Sequence, residues 1–185
     1  MKFTQIPTNT FSTLQLNAGV IASSFTPATG TLALADILGA TTGGNTFNAT
    51  PTFSDWGDDI DNAPKNMKEL KKLEVWDIKM SGTFATMTAD LAKRIVGAGD
   101  LSAGKITPRN DLADSDFDDL WWVGDYSDQN GNTNGGFIAI HMLNTLSTGG
   151  FQIRSTDKGK GNFAYEFTAH YSQDSPDTVP LDRKS

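Results

Sequence analysis

Three features of this 185-residue sequence predict a mainly β protein, a β-sandwich or barrel-like pair of sheets with one flanking α-helix and long loops. The first is strict alternation near the C-terminus: Phe163, Tyr165, Phe167, Ala169 and Tyr171 share one face, and Ala164, Glu166, Thr168 and His170 the other. The second is composition, with 18 glycines among many Thr and Asn and apolar residues in short alternating runs. The third is that helical spacing emerges clearly in one place only, Thr88–Val96. The length suits one domain, 1–185, able to bury about 70% of its unfolded surface.

Residues 1–12 read as a polar N-terminal arm, and 173–185 as a polar C-terminal tail. Thr13–Ala22 is a strand interrupted at Asn17–Gly19, and Leu32–Leu38 is either a short helical turn or an irregular cover over the core. Gly39–Asn45 reads as a loop and Thr46–Phe53 as a short strand. Its Pro51 cannot donate to a ladder and so points to an edge or a bulge. Leu73–Met87 is a long strand with Trp76, Ile78, Met80 and Phe84 on one face and Asp77, Lys79, Ser81 and Thr83 on the other. In the helix, Thr88 is the N-cap, Leu91 and Ile95 form the apolar stripe, Lys93 and Arg94 face water, and Gly97 or Gly99 ends it. Asp100–Asp119 is a connecting region. Phe151–Arg154 begins a closing hairpin across the polar turn Asp157–Gly161.

Two stretches depart from a simple core-and-surface pattern. Between 54 and 72 a long charged loop sets Asp55, Asp58, Asp59 and Asp61 against Lys65, Lys68, Lys71 and Lys72. It is either a solvated loop with weak local ion pairs or a contact loop meeting opposite charge on another subunit. The hairpin Leu120–Asp125 with Gly136–Leu143 is apolar on both faces: Trp121 and Val123 oppose Leu120 and Trp122, and Phe137 opposes Ile138 and Ile140. Either it is sandwiched within the core or another subunit covers one face.

The chemistry of an enzyme is missing. The two histidines, His141 and His170, lie within strand patterns, with no nucleophile turn beside them. Neither has a second ligand at close spacing, so no metal and no cofactor are expected. In Asp125–Asn132, aligning Gly131 with the invariant glycine of a calcium loop puts Tyr126 where a carboxylate is required. Gly159-Lys160-Gly161 lacks the spacing of a phosphate loop. The Asp runs at 55–61 and 111–119 could supply paired carboxylates and, with Trp56, Trp121 and Trp122, leave a carbohydrate-binding or glycosidase β-sandwich as the alternative. The absence of cysteine excludes disulfides. The opening MKFTQIPTNTF has no apolar leader core, and no run reaches the ~18 apolar residues of a membrane helix, so no membrane is expected. A net charge of −7 argues against tight nucleic-acid binding; it either simply keeps the chain in solution or suits a surface past which nucleic acid slides without sticking.

The blocks Asp36–Phe84 and Gly149–Ser172 resemble the major tail (tail tube) proteins of long-tailed, siphovirus-type phages of Gram-positive bacteria. With the helix between them, the resemblance covers most of the chain. It implies a non-enzymatic structural subunit of the virion tail, made in the host cytoplasm and self-assembling into stacked hexameric rings. It also implies contacts with tape measure and tail tip or terminator proteins, and passage of DNA through the lumen. Related tubes also occur in contractile secretion systems. On this reading, the two-faced hairpin (Trp121, Trp122, Phe137, Ile138, Ile140) is expected to be lateral and the Asp55–Lys72 loop to join stacked rings.

Overall fold

The computed structural model describes residues 6–7, 10, 14–15, 17–125 and 136–184. The expected N-terminal arm and the calcium-like loop fall almost entirely outside these residues. In chain order the elements are β1 (Val20–Ala22), β2 (Thr41–Asp55), β3 (Lys71–Phe84), α1 (Ala89–Val96), β4 (Gly99–Ser102), β5 (Lys105–Pro108), β6 (Asp118–Asp125), β7 (Phe137–Ser147), β8 (Gln152–Arg154), β9 (Asn162–Ala169) and β10 (Leu181–Lys184). Short 3-10 turns lie at Leu34–Asp36, Lys68–Leu70 and Asp114–Asp116.

One large antiparallel sheet runs β1-β6-β7-β9-β3-β2, with β8 added to β9 and β10 to β7; β4 and β5 form a separate hairpin. The sheet curls back on itself. The chain entering β2 bonds first to β1, where the Leu38 N–H donates to the Ile21 carbonyl at 2.9 Å. It then bonds beyond β3, where the Ala85 N–H donates to the Ala40 carbonyl at 2.7 Å. The fold is therefore mainly β and barrel-like with one helix, as the sequence predicts.

The curl encloses the main core. Ile78, Met80 and Phe84 of β3 meet Tyr165, Phe167 and Ala169 of β9, Leu120, Met142 and Ile21 from the far side, and Leu91 and Ile95 of α1. Each large side chain so buried is worth about 1.5–3 kcal/mol. In α1 the Thr88 hydroxyl accepts from the Leu91 N–H at 3.2 Å, and Gly97 closes the helix at φ 82°. Ser147 Oγ donates to the Ile95 carbonyl at 2.6 Å and ties the helix end to β7. Arg94 is not simply solvated, because it pairs with Asp118 at 3.0 Å.

Several sequence expectations change. The loop expected at 39–45 is mostly strand: β2 starts at Thr41, and Gly43 and Gly44, at φ 80° and 83°, lie in a register break between Thr41 and Asn45. Pro51 does sit on the sheet's terminal strand. The strand expected over 13–22 is Val20–Ala22 among the described residues. Leu32–Leu38 contains a single 3-10 turn that leaves Leu34 exposed. The polar tail returns as β10, pairing Leu181 with Met142 and Lys184 with Ala139.

The connecting region 100–119 also holds structure, a hairpin and an ion-pair cluster, that its polar composition hides. Arg109 Nη2 reaches both oxygens of Asp116 at 2.7 Å, and the Ala113 N–H donates to Asp116 Oδ2 at 2.9 Å. The Asp116 side chain is fully buried. The Ala113 N–H, opposed by burial and aided by Arg109, holds its carboxyl below the usual carboxylate range.

Two stability predictions follow from these contacts. A Cβ on Gly82 would lie 2.6 Å from the Tyr165 hydroxyl and 2.9 Å from Asn45 Oδ1, which themselves hydrogen-bond at 2.6 Å. Gly82→Ala is expected to destabilise by about 1–3 kcal/mol in denaturant titration, since the tyrosine must move. Asp116→Asn is expected to cost about 2 kcal/mol at neutral pH. Because the folded-state pKa is depressed, that contribution is complete above the ordinary value of ~3.9 and disappears as pH falls through the folded one. Wild-type and variant melting curves should therefore converge in acid.

Candidate functional site

The most distinctive surface is the end of the β2–β3 hairpin. β3 pairs with β2 along its whole length, from Phe84 opposite Thr41 to Lys71 opposite Asp55. Its other edge pairs with β9 only from Lys79 to Phe84. Below Lys79 the two strands continue as an arm, with residues 56–70 at its tip. A register break at Thr52/Phe53 brings Phe53 opposite Leu73 next to the Thr52–Val75 pair. Side chains directly opposed across a ladder share a face, so Phe53, Leu73 and Val75 lie together. They are 57%, 43% and 42% exposed, and Trp56, Ile60 and Met67 at the tip are exposed as well. A sequence signal for this exists: Leu73 and Val75 occupy the face that carries Asp77, Lys79, Ser81 and Thr83 further along β3.

The eight charged residues of the expected ring-stacking loop divide into two groups. Asp55, Lys71 and Lys72 build the arm. Asp55 Oδ1 accepts the Gly57 N–H at 3.0 Å, Oδ2 accepts the Asn66 N–H at 3.1 Å, and Lys71 Nζ lies 3.4 Å away. The Gly57 N–H foremost, with Lys71 and Asn66 assisting against partial burial, holds the Asp55 carboxyl below its usual range. Lys72 Nζ sits over the Trp56 ring, 5.1 Å from its centroid. The remaining five, Asp58, Asp59, Asp61, Lys65 and Lys68, are exposed on the tip, and of these Lys68 pairs with Glu69 at 3.5 Å.

In the two-faced hairpin, the second face is covered largely from within the chain. Trp121, 8% exposed, stacks on His141 at 3.9 Å and meets Phe25 edge-on at 5.6 Å. Phe137 meets the same Phe25 at 5.2 Å. Trp122 and Ile140 pack on the main core, and Trp122 Nε1 donates to the Ala18 carbonyl at 3.0 Å. Gly19, at φ 67°, lies under the indole so closely that a Cβ would come within 2.5 Å of it. Only Ile138 of the five is half-buried outside both core clusters. The segment 20–32 therefore accounts for most of the apolar surface that suggested a neighbouring subunit.

Both histidines are occupied structurally. His141 Nε2 lies 3.1 Å from Asp119 Oδ2, and His170 Nδ1 lies 3.2 Å from the Asn144 carbonyl, with its ring edge-on to Phe117. Among the described residues no group of three His, Asp or Glu side chains could hold a metal ion. The tryptophans proposed for glycan binding are dispersed: Trp56 on the arm tip under Lys72, Trp121 beneath Phe25, Trp122 over Gly19. If Asp55 organises the tip, Asp55→Ala should speed tryptic cleavage after Lys65 and Lys68, read by mass spectrometry, without changing global melting.

No family model matches the chain, and no curated protein matches it. Solved structures similar to it include a chain in the virion of a native gene transfer agent particle, at TM-score 0.46 and 10% identity, covering 91% of this chain and 96% of that one. A chain in the tail of an empty gene transfer agent particle, refined with C6 symmetry, is similar at TM-score 0.44 and 10% identity over the same shares of the two chains.

Proposed function

We propose that this chain is a structural subunit of a phage tail tube, self-assembling into stacked hexameric rings that form the conduit for DNA ejection. The observation that carries this reading is the arm. Phe53, Leu73, Val75, Trp56 and Ile60 stay exposed on a hairpin that has outrun the rest of its sheet. Exposed apolar side chains gathered on a projecting hairpin favour a protein contact, and the sequence resemblance to tail tube proteins names the partner as further copies of the same chain. The subunit would reside in the virion tail, with the tape measure protein in the lumen and tail tip or terminator proteins at the ends.

Lateral contacts within a ring would use the open edge of β2 and the half-buried Ile138, since pairing around a closed ring removes exposed edges. The net charge of −7 lets DNA pass without adhering.

Negative-stain electron microscopy of the concentrated protein tests the reading. Wild type is expected to give hollow tubes or stacked six-fold rings. The triple variant Phe53→Ser, Leu73→Ser, Val75→Ser should keep its fold, because these side chains lie outside both core clusters, yet remain monomeric. A wild-type protein monomeric at every concentration, or a triple variant that assembles as well as wild type, would overturn the proposal.

A further inference from the structure

We propose that the arm of one copy docks head-to-tail on the β8–β9 hairpin of the next copy along the tube axis. The contact presupposes the tube-subunit role proposed above and supplies the receiving surface for it.

The two surfaces lie at opposite ends of the strand direction. Phe163 of β9 pairs with Phe84 of β3, and Arg154 of β8 pairs with Asn162, so the turn 155–161 projects past the Phe84 end of β3. The arm tip projects past its Lys71 end. At ~3.3 Å per residue, β3 alone separates them by roughly 40 Å. Two different patches at opposite ends of one axis make a heterologous contact, which repeats indefinitely instead of closing a dimer.

Both ends leave apolar surface and main chain uncovered. Phe151 and Ile153 are 46% and 59% exposed, although their alternation predicts a half-buried strand. β8 pairs with β9 on one side and has no strand on its outer edge among the described residues. An open edge flanked by apolar side chains is a template for another chain.

Charge sets the polarity. The turn and β8 carry Arg154, Lys158 and Lys160 against a single Asp157, all exposed. The arm tip carries Asp58, Asp59, Asp61 and Glu69 against Lys65 and Lys68. None of Asp58, Asp59 and Asp61 forms an ion pair with another described residue, nor do Arg154 and Lys158. An acidic tip and a basic turn attract in the head-to-tail orientation, while tip-to-tip and turn-to-turn encounters repel.

The test is charge reversal at each end, followed by reversal at both. Asp58→Lys/Asp59→Lys and, separately, Arg154→Glu/Lys158→Glu are each expected to raise the critical concentration for tube growth by about tenfold or more in sedimentation and electron microscopy. All four side chains are exposed, so circular dichroism should show unchanged folding. The four-fold variant, with both signs exchanged, should regain most of the wild-type assembly. If wild type assembles and either pair reversal has no effect, or the four-fold variant stays impaired, this docking is wrong while the tube role stands. If wild type never assembles, the tube role fails and the docking with it.

Discussion

The structure depends on a mismatch in length between the two partners of β3. On one edge β2 accompanies it through all of Lys71–Phe84, while on the other β9 stops at Lys79. Where all three strands run together, the inward face of β3 meets Tyr165 and Phe167 and the core is complete. Just beyond the end of β9, Ile78 and Trp76 still pack against the core, but nearer the tip Phe53, Leu73 and Val75 stay in water. A two-stranded ribbon is marginal by itself. This one is held by continuity with the sheet and by the Asp55 hydrogen bonds at its tip. The two ends of one strand thus differ: the Phe84 half carries the core contacts, and the Lys71 half carries the exposed side chains that the proposed assembly would cover.

Much of the fold was legible from periodicity. The faces of β3 and β9, the single helix with its Thr88 cap, and the edge position of Pro51 all follow from local spacing and backbone chemistry. Elements that depend on distant partners were not legible. The polar sequence 181–184 becomes a strand because β9 takes only Thr145–Ser147 on the edge of β7 opposite β6 and leaves Ala139–Met142 of that edge open. Residues 100–119 look like an acidic linker because nothing local shows that Arg109 folds back on Asp100 and Asp116.

The surfaces proposed for assembly are legible in part for the same reason. A hairpin apolar on both faces does have two buried faces, but its second cover comes from Phe25 and Leu32, about a hundred residues earlier in the chain. Conversely, Phe151 and Ile153 alternate like a half-buried strand yet find no second layer. Alternation reports that a face wants covering and does not say which chain covers it. In the charged loop, local geometry separates the acids: Asp55 is used up by Gly57, Asn66 and Lys71, while Asp58, Asp59 and Asp61 remain available.

The central claim is that the lone half of the β2–β3 hairpin is completed by another copy of the chain. Amide hydrogen exchange, followed peptide by peptide across 51–75 as protein concentration rises, tests it most directly. Exchange in the arm should slow markedly once assemblies form, while Lys79–Phe84, already inside the three-stranded ladder, should change little. Arm exchange that stays fast and independent of concentration in fully assembled material would contradict the account.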